Sequence, residues 1–190
     1  MNVRERDDVE GAIQHLVETW GRIDIQVSCA GIMDRAPFLE MTDALWHKIL
    51  DTNLHGAFLC GQIAARRMVE QGDGGRIVHI ASNSGIFGGR GRAAYGASKA
   101  GLNSLSQSLA VALAPHNIFV GAVAPGFVNT ELTADRLSSA EGDEIRAQSP
   151  FNRVAEPEEV AHAVLFLASD GAEFSTGTII DVNGASYLRS

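Results

Sequence analysis

From Arg76 to Gly101 the chain reads RIVHIASNSGIFGGRGRAAYGASKAG. Its first seven residues, RIVHIAS, are a short apolar and β-branched run that ends in small polar residues, the pattern of a buried strand that opens into a loop. A glycine-rich connection follows, and from Ala93 to Leu113 small and apolar residues recur at helical spacing. One strand, one loop and one helix are therefore expected here.

The same alternation extends in both directions. Upstream, Val9, Ile13, Leu16, Val17 and Trp20 mark a helix from Asp7 that Gly21 stops. The run IDIQVSCAG then reads as a buried strand, and a long helix capped at Thr42 or Asp43 continues through Trp46, Ile49, Leu54, Phe58, Ile63 and Met68 until QGDGG breaks it. Downstream, IFVGAVAPG is a strand, Pro157 to Ala168 a helix and TIIDVNG a last strand. This order predicts an α/β fold with a parallel sheet covered by helices on both faces, in one domain over 1–190, with ligands gathered at the carboxyl ends of the strands.

Composition narrows the function. The net charge is −8 and the arginines are scattered, which argues against nucleic acid and against a polybasic membrane patch. No apolar run approaches the roughly 18 residues of a membrane span, and the opening MNVRERDDVE is charged where a signal peptide is apolar. The two cysteines, Cys29 and Cys60, have neither CxxC nor Cys/His spacing, so no metal site is expected and the reduced cytoplasm is the expected location.

Tyr95 and Lys99 stand four apart on the expected helix, hence on one face, about 5–6 Å apart at Cβ. An ammonium beside a phenol favours the phenolate, lowering a pKa that starts near 10 and making a proton-transfer device. Ser82 ends the preceding strand, Asn53 lies inside the earlier long helix, and PGFVNT follows the next strand. In this combination and order the chain resembles the classical short-chain dehydrogenase/reductase family, and among its members the 3-oxoacyl-carrier-protein reductases.

The resemblance implies a Rossmann-like doubly wound sheet and hydride exchange between NAD or NADP and a small carbonyl or alcohol substrate. It assigns Tyr95 as catalytic acid/base, Lys99 as the residue that lowers its pKa and holds the nicotinamide ribose, Ser82 as a hydrogen bond to the substrate oxygen, and Asn53 as the helix-interrupting residue whose carbonyl holds a relay water. Pro125, Gly126, Val128 and Thr130 would lie along the nicotinamide, Ala30 and Gly31 along the adenosine ribose, and Asn2 and Val3 at the adenine. Ser28 and Cys29 depart from the family's Asn-Asn at that strand end. The helices Asp43–Val69 and Ala93–Ala114 would form the subunit interface of a homodimer or homotetramer.

The family's first strand, glycine-rich turn, first helix and second strand have no counterpart, so the sheet is expected to be N-terminally incomplete, with IDIQVS as an apolar edge. A second reading follows, a catalytically silent chain that serves as a structural or oligomerisation partner. Gly89–Ala94 fits G-x-G-x-x-A, but it does not follow its strand directly and lacks an acidic residue about 20 positions on, so it is read as a connection beside the site. The tryptophans are expected in the core, the six histidines at the surface or satisfied, Glu156, Glu158 and Glu159 at a helix N-terminus, and Thr133–Ser149 as a mobile substrate loop.

Overall fold

The computed structural model describes residues 1–188. Helix α1 spans Arg6–Trp20, β1 Ile25–Ser28, α2 Asp43–Leu50, α3 Gly56–Gln71, β2 Gly75–Ile80, α4 Ala93–Leu113, β3 Ile118–Pro125, α5 Glu131–Ser138, α6 Gly142–Ala147, α7 Pro157–Ala168 and β4 Ile179–Val182. The strands form one parallel sheet in the order β1-β2-β3-β4, with Val27 opposite Val78, Val78 opposite Gly121 and Val123 opposite Ile180. β1 is an edge, and Ile25 on it is about half exposed.

Both faces of the sheet are covered, which is why β2 and β3 read as nearly unbroken apolar runs. On one face Val9 and Ile13 of α1, Leu59, Ile63 and Met68 of α3 and Ala110 of α4 pack on Ile77, Ile118 and Val120. On the other, Leu167 of α7 meets Val78 and Val123. Gly121 permits that second contact, because a Cβ there would stand 3.0 Å from the Leu167 methyl carbons.

Two expectations fail. Trp20, read as core, is 73% exposed, because α1 turns its Val9/Ile13 stripe to the sheet and ends at Gly21 with Trp20 on the solvent side. The polar stretch Thr133–Ser149, read as loop, instead contributes to two short helices. Thr130 and Thr133 cap the first reciprocally, and an Arg136–Glu141 ion pair of 2.7 Å ties it to the start of the second. The helix α7 begins at a Glu156/Glu159 capping box with Pro157 in its first turn. No helix among the described residues is long and apolar enough to cross a membrane.

Candidate active site

At the carboxyl ends of the strands lies a cleft of about 620 Å³, where loops after β1, β2 and β3 face α4 and α7. Ser82, Tyr95 and Lys99 line it together with Gly31, Pro125, Gly126, Val128 and Thr130. Four stretches that are distant in sequence thus meet in one space. Asn2, Val3 and Ala30 do not line it: Asn2 bonds Asp8 and Arg4, and Val3 packs under Gly56 at the start of α3. Tertiary packing, which a local resemblance does not encode, draws the first residues toward α1 and α3.

Ser82 is brought to Tyr95 by a close backbone contact. A Cβ on Gly85 would stand 2.6–2.8 Å from backbone atoms of Lys99 and Ala100, so only glycine lets the loop after β2 lie this near α4. Ser82 Oγ accepts from the Ser84 N–H at 3.1 Å and lines the cleft with Tyr95. Burial pushes the phenol above its ordinary value, opposed by Ser82 and by the Arg92 guanidinium.

Lys99 Nζ lies 5.8 Å from the Tyr95 ring centroid and donates to the Ile80 carbonyl at 2.7 Å, so it is anchored on β2. Lys99 is 5% exposed, and burial pushes its pKa down to about 8, with Cys29 opposing. Among the described residues only the Ile80 carbonyl accepts from this ammonium, and a Cβ on Gly31 would be 3.6 Å from Nζ. A polar ligand with hydroxyl groups, such as a ribose, fits this ammonium.

Asn53 sits in a π turn, Asp51–His55, that joins α2 to α3, and it is 1% exposed. Its Oδ1 accepts from the Ile32 N–H at 2.8 Å while its Nδ2 donates to the Ile32 carbonyl at 2.9 Å and to Ser98 Oγ at 3.1 Å. Ser98 Oγ in turn donates to the Tyr95 carbonyl at 2.7 Å. The side chain is therefore a bracket between the loop after β1 and the catalytic turn of α4. Ser98, Arg92 and this bracket escape sequence reasoning, although the extra residue of a π turn often marks a functional place in a helix.

His79 takes the buried alternative of its expectation and is satisfied at one ring nitrogen. It is buried, with Nδ1 at 2.8 Å from Ser106 Oγ and Nε2 without a partner among the described residues, and burial, then Lys99, lowers its pKa to about 4. No group of His, Cys, Asp and Glu among the described residues could hold a metal ion.

The family model described as Enoyl-(Acyl carrier protein) reductase matches residues 1–185. The L-rhamnose 1-dehydrogenase (NAD(P)(+)) of Sphingomonas sp. (strain SKA58) is 39% identical over 189 residues, covering 99% of this chain and 74% of the relative. The chain belongs to the short-chain dehydrogenase/reductase family. The 3-oxoacyl-[acyl-carrier-protein] reductase FabG of Aquifex aeolicus (strain VF5) is 41% identical over 187 residues, 98% of this chain and 75% of the relative. A crystal structure of a short-chain type dehydrogenase/reductase from Mycobacterium marinum superposes with a TM-score of 0.92 at 36% identity, covering 98% of this chain and 74% of that one. This short-chain dehydrogenase/reductase is an NAD(P)-dependent oxidoreductase that interconverts a carbonyl and an alcohol. The matches do not favour a catalytically silent chain.

Proposed function

We propose that Tyr95 gives its phenolic proton to the substrate carbonyl oxygen in reduction and takes it back from the hydroxyl in oxidation. The observation that carries this reading is the convergence of Ser82, Tyr95 and the buried Lys99 on one cleft at the sheet edge. Ser82 Oγ, which lines the same cleft, holds the same substrate oxygen. Lys99, with its pKa near 8, exchanges a proton close to neutrality and offers to the ribose of the cofactor the donors that have no acceptor among the described residues. Asn53 positions the loop at Ile32 and the α4 turn on either side of that ammonium. When bound, the nicotinamide supplies or accepts the hydride.

Gly31, Pro125, Gly126, Val128 and Thr130 are the cleft residues assigned to the cofactor, and Ala30, Asn2 and Val3, which do not line the cleft, are assigned to its adenosine end. Residues 1–190 act as a single Rossmann-type unit in the cytoplasm, paired with a second copy through the outer faces of α3 and α4, where Val69 and Val111 are exposed. Titration with NADH and NADPH, followed by nicotinamide fluorescence, tests the site together with Tyr95→Phe. Retained binding with kcat lowered by roughly 10²–10⁴ is expected, the usual size of a lost general acid/base. Unchanged turnover by Tyr95→Phe would refute the assignment.

A further inference from the structure

The Gly89–Ala94 run, which the reaction leaves unused, brings a basic cluster to the mouth of the cleft of a chain whose net charge is −8. Arg92 lines the cleft itself, beside Tyr95. Its Nη1 donates to Ser84 Oγ at 2.9 Å, but its Nε is buried with no partner among the described residues. Gly89 makes room for the guanidinium, because a Cβ there would overlap the Arg92 side chain. The guanidinium thus lies flat against the Gly89 backbone at the cleft wall, with one of its donors unspent.

The surroundings share the sign. The loop after β1 is tied to this one by the Ala36 N–H donating to the Gly91 carbonyl at 3.2 Å, and Arg35 and Arg90 line a hollow of about 700 Å³ between the two loops. From α5, Arg136 stacks 5.0 Å over Phe127, a cleft residue, and its Nη1 is also buried without a partner among the described residues. Burial and then repulsion from Arg136 and Arg92 lower the Arg35 pKa, with Glu141 opposing. Glu141 is paired with Arg136 and Asp34 with Lys48, while Arg35, Arg90 and Arg92 form no ion pair among the described residues. An unbalanced cluster of this kind attracts an anion, and the planar fork of arginine fits carboxylate and phosphate oxygens.

We propose that the Arg92 guanidinium receives an anionic group, a carboxylate or a phosphate, that the substrate carries at a distance from the carbonyl Tyr95 protonates. This rests on the oxidoreductase reading of the cleft and adds the substrate class. Arg92 touches the substrate, while Arg35 and Arg136 act through the field they add and Gly89 through the space it leaves.

The test begins with binding, independent of turnover. The ¹⁵N-labelled chain is titrated with malonate and, separately, with inorganic phosphate at constant ionic strength, and the arginine Nε–Hε signals are followed by NMR. One signal, absent from Arg92→Lys, is expected to shift saturably with at least one of the two anions, and the one that acts identifies the group. No saturable shift with either anion overturns the proposal.

Turnover then uses substrate pairs that differ only in charge, such as 3-hydroxybutyrate and its methyl ester, or a sugar phosphate and the free sugar. The charged member is expected to lead in kcat/KM by roughly 10- to 100-fold, and Arg92→Gln to erase the difference. A neutral member that does as well in the wild type overturns the proposal. A saturable Arg92 shift with no turnover of any pair would uphold the anion site and exclude these compounds as substrates.

Discussion

Replacing Asn53 by alanine removes a buried bracket whose cost can be worked from three hydrogen bonds. The side chain is 1% exposed and satisfies both polar groups of the Ile32 peptide unit it faces, the N–H at 2.8 Å and the carbonyl at 2.9 Å, plus Ser98 Oγ at 3.1 Å. At a net ~1 kcal/mol each the loss is about 3 kcal/mol, more if the abandoned groups stay dry. For a domain of this length that lowers Tm by roughly 6–12 °C. Asn53→Asp keeps only the acceptor for the Ile32 N–H, so it recovers about one third of the loss. Urea denaturation followed by circular dichroism measures the stability, and the NADH titration reports whether the loop at Gly31 and Ile32 has loosened. A drop below about 1 kcal/mol in Asn53→Ala would refute the bracket and leave only the backbone of the π turn with a role.

Other outcomes follow from the buried cations and from Trp20. Lys99 has its pKa lowered from 10.5 to about 8, so between pH 8 and 10 the unfolded chain binds more protons than the folded one, and stability rises with pH. Lys99→Met is expected to lack that rise when unfolding free energy is measured across the window. His79, lowered from 6.5 to about 4, costs stability as pH falls through that interval, because the unfolded imidazole takes up a proton that the folded one refuses. His79→Gln is expected to flatten the acid limb between pH 6.5 and 4 in acid unfolding curves. Trp20→Ser is expected to change stability by less than about 0.5 kcal/mol and to remove the more readily quenched part of the acrylamide-sensitive fluorescence, since surface substitutions have small effects and this ring is solvent-facing.

Much of the fold is legible along the chain because burial on both faces writes itself locally. RIVHIAS and IFVGAVAPG are apolar without alternation because α3 and α4 cover one side of β2 and β3 and α7 the other. The helix Ala93–Leu113 has its expected bounds, and so does α7, because small residues, Pro157 and the Glu156/Glu159 box are chain-local signals. Trp20 was not legible, since helical spacing places a ring on a face without saying where that face stops meeting the sheet. The helices α5 and α6 were hidden for a similar reason: reciprocal Thr130/Thr133 capping and the Arg136–Glu141 pair are visible only when the segment has turned.

The site divides in the same way. Residue type and spacing along one helix single out Tyr95 and Lys99, because four residues are one turn wherever the helix lies. What tunes them was decided by tertiary structure: Lys99 is anchored on Ile80 of another element, Ser82 reaches Tyr95 only because Gly85 lies on α4, and Asn53 ties the loop after β1 to Ser98. Arg92 belongs to the same class, its surroundings set by the space at Gly89, by Arg35 of the loop after β1 and by Arg136 of α5. By itself the sequence determined where most of the elements form and which residue types are candidates for the chemistry, since these follow from local periodicity and residue type. The approach of one loop to another, and with it the charge and water around each group, depends on strand register and helix packing, and those exist only in the folded chain.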